Sequence, residues 1–238
     1  MRGGEEMSVY KMCKENEKLK QIYLEQQRRP QEYFQISDGN RLTGMMNKSL
    51  NYVFVPETVT EIGAFAFAGC RQLTGIFIPD TIKHIEECIF PNCPKLAVIV
   101  VDKENRYYDS HCACNAIIDR RTNELIAGCI NTIIPPDIRG IGRFAFYRQT
   151  GLKSITIPGN IFYIEACAFR DCIQLVDVKL AQNLHRIGTE VFAGCVSLED
   201  VYIPQNIVCI EENAFESVDH VWYCGKSADA PWGAWKLN

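Results

Sequence analysis

The 238-residue sequence has no excess of basic charge, since 29 acidic side chains against 25 Lys and Arg leave a formal charge of -4. A protein that holds nucleic acid by neutralising phosphates needs the opposite balance, so nucleic acid is not an expected partner. No stretch approaches the roughly 20 consecutive apolar residues that cross a bilayer, and no membrane association is expected. Met1–Tyr10 lacks the apolar core of an export signal, which places the chain as written in the cytosol. If an export signal precedes this sequence, the expected location becomes the cell surface or the medium. Catalytic signatures are missing as well. There is no nucleophile elbow, no His-Glu-x-x-His, no Walker loop and no dinucleotide fingerprint; Gly140-Ile-Gly142 is a bare glycine pair, and His84, His185 and His220 fall in unrelated places. The expectation is a chain that is not an enzyme and carries no cofactor.

Cysteine is plentiful, with twelve in the chain. Without an export signal these read as reduced, buried thiols. His111-Cys112-Ala113-Cys114, with Cys129 after it, offers the donor types zinc uses, but one residue between the cysteines is too few and no second pair exists, so no metal ligands are assigned. An enzyme using a thiol or metal near Cys112 is the least favoured reading.

What the sequence does contain is a repeat. Prolines preceded by an aliphatic residue stand at Pro56, Pro79, Pro135, Pro158 and Pro204, and with Asp102 and Ala181 in equivalent slots they step by 23 residues. One interval, Asp102 to Pro135, is 33 residues. Counting from each proline, isoleucine stands six places on (Ile62, Ile85, Ile141, Ile164, Ile187, Ile210) and phenylalanine eleven places on (Phe67, Phe90, Phe146, Phe169, Phe192, Phe215). Cysteine is common fourteen places on (Cys70, Cys93, Cys172, Cys195), and a period-two strand such as Ile155 and Ile157 closes each coil. Stacked backbones lie about 4.8 Å apart, so Cys70 with Cys93 and Cys172 with Cys195 would be the bridges in an exported protein. A single coil cannot bury these side chains alone, so coils must stack, with the phenylalanines as a spine.

The run Ile-x-x-Ala-Phe-x-x-Cys-x-x-Leu-x-x-Ile-x-Ile-Pro resembles the BspA-type, or Treponema-type, leucine-rich repeat, from Tyr52 to Lys226. The resemblance implies a right-handed repeat solenoid of about seven coils, mainly β with short helical turns, with a parallel sheet on its concave face. It implies a protein-binding role, often in bacterial surface proteins, and brings no catalytic residues. The long coil 102–134 is expected to hold a strand pair, Asn115–Ile118 and Leu125–Gly128, projecting from the stack without the tight Asn-Gly turn of such hairpins.

Both ends depart from the repeat. In residues 1–51, a helix over 5–28, with Val9, Cys13, Leu19, Ile22 and Tyr23 on one side, ends at Pro30. A hairpin over Tyr33–Ile36, Asp38-Gly39 and Leu42–Met46 follows, and helix and hairpin together are expected to cap the first coil; alternatively the helix recruits a partner. At the other end, 227–238, Trp232 and Trp235 with Trp222 suggest an aromatic plug over the last coil, or less readily a ligand pocket.

Strand positions that alternate with the core must point outward. Up the stack they read Phe54, Phe77, Val100, Ile133, Thr156, Lys179 and Tyr202, with Tyr52 beside the first. Phe54, Phe77, Val100 and Ile133 form an apolar stripe larger than a monomer usually leaves in water. The expected occupant is a partner protein or a second copy of this chain, with the polar upper strands setting specificity; the alternative is that the N-terminal helix folds back onto the stripe. The expected function is macromolecular binding through this face, and the alternative is an exported adhesin for host matrix protein or carbohydrate.

Overall fold

The computed structural model describes residues 16–224 and 235–236. The expected helical residues before Asn16, and Trp232 with its neighbours near the C-terminus, lie outside the described residues. The chain winds into a β-solenoid of about eight turns of roughly 23 residues, one more than the repeat count suggests.

Each regular coil contributes one longer and one two-residue strand. The longer strands β3 (Tyr52–Phe54), β5 (Gly75–Ile78) and β7 (Val98–Val101) pair in parallel, with Phe54 opposite Phe77 and Phe77 opposite Val100. Higher in the stack, β12 (Ser154–Ile157) pairs with β14 (Asp177–Leu180), and β16 (Asp200–Ile203) pairs with β18 (His220–Tyr223) and then β19 (Trp235–Lys236). The short strands β4 (Glu61–Ile62), β6 (His84–Ile85), β11 (Gly140–Ile141), β13 (Tyr163–Ile164), β15 (Arg186–Ile187) and β17 (Cys209–Ile210) form the opposite face.

The spine is present. Phe67 packs on Phe90 with ring centres 5.3 Å apart, and Phe146, Phe169, Phe192 and Phe215 stack at 4.8, 5.3 and 5.5 Å. The break between Phe90 and Phe146 is where the long coil enters. There β8 (Tyr108–Asp109), β9 (Ala116–Asp119) and β10 (Glu124–Gly128) join the short-strand face in antiparallel order, with β10 then parallel to β11. The strand pair therefore does not project as expected. All four residues of β9 are buried, because Ile117 and Ile118 supply apolar surface that the stack needs at this point. Its four-residue turn is held by Asp119, whose carboxylate accepts the Arg121 and Thr122 amides at 2.7 and 3.4 Å, with Asn123 in the left-handed conformation.

Cysteine in the fourteenth slot has a hydrogen-bonding reason. The thiols of Cys93, Cys172 and Cys195 donate to the carbonyls of Phe67, Phe146 and Phe169, one coil back, at 3.1, 3.0 and 3.2 Å. After the long coil, Gln149 takes the slot and its Nε2 donates to the Phe90 carbonyl at 3.1 Å, so a longer donor serves the same backbone acceptor. Burial pushes the Cys93 and Cys195 thiols up to about 12 and the Cys70 thiol to about 11.

Two columns of left-handed backbone turn each coil. Nine places after the proline slot stand Phe65, Cys88, Phe144, Cys167, Glu190 and Asn213, with φ between 55° and 60°. Four places later come Gly69, Asn92, Arg148, Asp171, Gly194 and Ser217, all with positive φ. Their amides reach the neighbouring coil, as in Phe65 to the Cys88 carbonyl at 3.0 Å and Gly69 to the Pro91 carbonyl at 2.9 Å. The stacking bonds thus hold a conformation that most of these residues disfavour.

At the first end, β1 (Phe34–Ser37) and β2 (Arg41–Met45) form the expected hairpin, and β2 pairs in parallel with β4. Phe34, Leu42 and Met45 are buried against the first coil, so the hairpin covers the core at this end of the stack. The helix α1 (Glu17–Arg28), capped by the Asn16 carboxamide, completes the expected cap: its Gln26 bonds the free edge of β3 in the first coil, and its apolar side reaches across the long-strand face.

Two measurements test this account. Phe65 is 55% exposed at φ 60°, so Phe65→Asn relieves left-handed strain at little packing cost. It should stabilise the protein by about 1 kcal/mol and raise Tm by roughly 2–4 °C in a thermal melt; a lowered Tm contradicts the strain argument. In native protein at pH 7, iodoacetamide should modify the exposed Cys112 and Cys224 but leave Cys70, Cys93, Cys172 and Cys195 unlabelled until denaturant is added, as read by peptide mass mapping.

Candidate functional site

The long-strand face is the surface to which the repeat commits its outward side chains, and the structure divides it in two. In the lower half Phe54 and Phe77 stack with ring centres 4.3 Å apart and are only 1% exposed each. They are covered by α1: Leu19 is buried on them, Ile22 packs beside them, and Tyr23 meets Phe54 edge-on at 5.6 Å. Tyr52 and Val100 are half-buried at the border of this cluster. Gly75, between Tyr52 and Val98 in register, leaves room for the Tyr52 ring, which would lie 3.0 Å from any Cβ there. Over this half of the apolar stripe the occupant is the N-terminal helix folded back, the alternative to a partner or second copy. Of its four anchors Phe54 and Phe77 are occupied by the chain's own helix, because twelve amphipathic residues reach them without any partner.

Polar contacts hold the helix in place. Phe54 donates its amide to Gln26 Oε1 at 2.7 Å, and Gln26 Nε2 donates to the Tyr52 carbonyl at 3.0 Å. Gln27 repeats the pattern one step on, accepting the Glu57 amide at 2.9 Å and donating to the Val55 carbonyl at 3.4 Å. The Tyr23 hydroxyl donates to the Glu57 carboxylate. Among the described residues β3 is the terminal strand of its sheet, so these side chains satisfy an edge that no described strand pairs. Sequence reasoning gave these glutamines no role. A hint lay in their side chains, each carrying a donor and an acceptor, next to the apolar positions Ile22 and Tyr23.

In the upper half the face is open. Ile133 is 70% exposed, but its segment forms no strand; its amide instead donates to the Cys114 carbonyl at 3.0 Å. Thr156 lies opposite Lys179 in register, and Tyr202 opposite Trp222. All of Thr156, Lys179 and Tyr202 are exposed. Asp200 pins the Trp222 indole, whose Nε1 donates to it at 2.6 Å, and His220 stacks on that indole at 5.9 Å. Trp222 and His220 were not assigned to the face from sequence, because this last coil is short: Asp200 pairs with His220, 20 residues on, so counting by 23 put Val221 in the wrong slot.

The histidine and cysteine cluster in the long coil is taken up by other bonds. His111 is held between Asp109, 3.0 Å from Nδ1, and Asp137, 2.9 Å from Nε2; burial opposes its charge, but the two carboxylates outweigh it and raise its pKa. Cys114 and Cys129 are buried, their thiols facing the Ala116 and Asn115 carbonyls and pushed up to about 12 and about 11 by burial. Cys112 is exposed. Among the described residues no three His, Cys, Asp or Glu side chains come together to hold a metal ion, and no helix is long and apolar enough to cross a membrane.

Among solved structures, a leucine rich cell surface protein from Faecalibacterium prausnitzii A2-165 is 25% identical at a TM-score of 0.58, over 73% of this chain and 53% of that one. The pneumococcal vaccine antigen PcpA is 16% identical at a TM-score of 0.52, over 76% of this chain and 58% of its own. A leucine-rich repeat protein from Bacteroides ovatus ATCC 8483 is 24% identical at a TM-score of 0.48, over 80% of this chain and 53% of its own. This chain therefore spans little more than half the length of those structures. Comparison with curated proteins finds no match. A profile of the BspA type leucine rich repeat region matches six copies over residues 44–118 and 126–221, interrupted only at the turn between β9 and β10, and on that match the chain belongs to the BspA type leucine-rich repeat family.

Proposed function

We propose that this chain is a non-enzymatic protein-interaction module that binds a macromolecular partner through the long-strand face, the concave face of the family. The observation that carries this reading is the open upper half. Ile133, Thr156, Lys179 and Tyr202 present one apolar, one hydroxyl, one cationic and one aromatic side chain on successive coils, and Tyr202 is 50% exposed. A repeated backbone holds them at fixed spacing, so little side-chain and loop ordering is lost on binding. Exposed tyrosine beside half-buried tryptophan and charge is also the composition that anchors protein interfaces. In this reading residues 1–51 act as the cap, 52–226 as the binding solenoid and 227–238 as the closing segment. Tyr52, Phe54, Phe77 and Val100 contribute to binding only where α1 leaves them accessible.

A second reading, an exported surface adhesin recognising host matrix protein or carbohydrate, is favoured by one observation. The 25% identical solved structure is described as a cell surface protein.

The test compares partner capture by the wild-type chain, Tyr202→Ala, Lys179→Glu and a control on another exposed surface, Lys83→Ala. Tyr202→Ala and Lys179→Glu should each weaken binding of the captured protein about tenfold or more in a titration, with Tm unchanged. Equal weakening by Lys83→Ala would move the interface away from this face.

A further inference from the structure

We propose that the lower half of the face is a receptor groove for an amphipathic helix of a partner protein, and that α1 is its resident, displaceable occupant. The inference deepens the binding-face reading and rests on it. Three observations carry it.

First, the groove already holds a helix in a defined way. Leu19, Ile22 and Tyr23, at helical positions i, i+3 and i+4, cover the Phe54 and Phe77 pair, and Gln26 at i+7 bonds both the Tyr52 carbonyl and the Phe54 amide. The chemistry of a fitting ligand is thereby specified: three apolar side chains on one helical stripe, followed one turn later by a carboxamide.

Second, the stack does not depend on α1. The cluster of Leu19, Phe54 and Phe77 is separate from the two clusters that make the solenoid core, and the hairpin, not the helix, covers the core of the first coil. Loss of α1 uncovers a groove without removing a coil.

Third, α1 is weakly self-supporting. A 12-residue helix is marginal in water on its own, so docking and folding of α1 are coupled. It is also incompletely sealed, because an open cleft of about 260 Å³ lined by Lys18, Ile22, Glu25, Tyr33, Leu50 and Tyr52 runs along its flank. Local opening of such an element is the low-stability end of a folded protein, and an incoming helix that binds the open state shifts the population towards it.

Amide hydrogen exchange on the unmodified chain should show Leu19–Arg28 exchanging at least a hundredfold faster than the amides of β5 and β14. Equal protection would overturn the proposal. In the full chain carrying Leu19→Ser, Tyr23→Ser and Gln26→Ala, a fluorescent peptide of residues 16–29 should bind at least tenfold more tightly than to the wild-type chain, whose groove is filled. Adding Phe77→Ser to that variant should abolish the binding. A peptide that binds neither chain, or both equally, overturns the proposal. So does a concentration-dependent dimer of the triple variant that Phe77→Ser removes, since it assigns the groove to a second copy. These readouts need no captured partner, so their failure is distinct from a failure of the Tyr202 and Lys179 test.

Discussion

A coil of 23 residues in this chain has no core of its own; each spine phenylalanine finds a buried environment only between the coils on either side of it. Everything else in the molecule answers to that constraint. The regular spacing of Phe146, Phe169 and Phe192 requires the backbones to stay in register, and the register is kept by amides at the two left-handed columns reaching carbonyls one coil away. The buried thiols and Gln149 serve the same end from the side-chain direction, occupying phenylalanine carbonyls that would otherwise be stranded in the core at a cost of about 1–3 kcal/mol each. The long coil is tolerated because it obeys the rule and inserts strands whose buried isoleucines rebuild the missing layer.

The parts of this arrangement that repeat were legible from residues alone. Proline, isoleucine and phenylalanine recur with little substitution because they fill equivalent apolar positions, so the period reveals them. The left-handed columns were not legible, since only Gly69, Asn92, Gly194 and Asn213 carry the residue types that signal positive φ, and phenylalanine, cysteine, arginine, aspartate, glutamate and serine fill the other positions. Stacking forces the conformation there, and local preference does not announce it. Residues acting once are hidden for a related reason. The pattern Leu19, Ile22, Tyr23 shows that one side of a helix is apolar, yet says nothing of which surface receives it, and the two candidate surfaces, stack end and strand face, are both apolar.

The same limit explains the partial success at the binding face. Alternation along each strand correctly placed Phe54, Phe77 and Val100 in one register column. Whether a column is open depends on long-range packing, and there the helix decided. Two surfaces of different character result. One is apolar, aromatic and already filled, and the other is mixed and built of the exposed Thr156, Lys179 and Tyr202 with the half-buried Trp222. A partner contacting both would bring a hydrophobic element against the first and polar complementarity against the second. That division resembles the apolar core and polar rim of ordinary interfaces.

The position of α1 also resolves a problem that any open parallel sheet creates. β3 ends its sheet, and an unpaired strand edge beside two stacked aromatic rings invites pairing with whatever extended chain is near. A further strand would satisfy the edge permanently. The helix satisfies it through glutamine carboxamides, which offer one acceptor and one donor in the same sense as a peptide unit but from side chains on a short, separately folding element. The edge is protected while the helix is docked and becomes available when it leaves, so protection and access depend on one contact. Aliphatic side chains at 26 and 27 would leave the Phe54 amide and the Tyr52 carbonyl without partners at a cost of about 1–3 kcal/mol each, so the carboxamides serve stability and edge protection together.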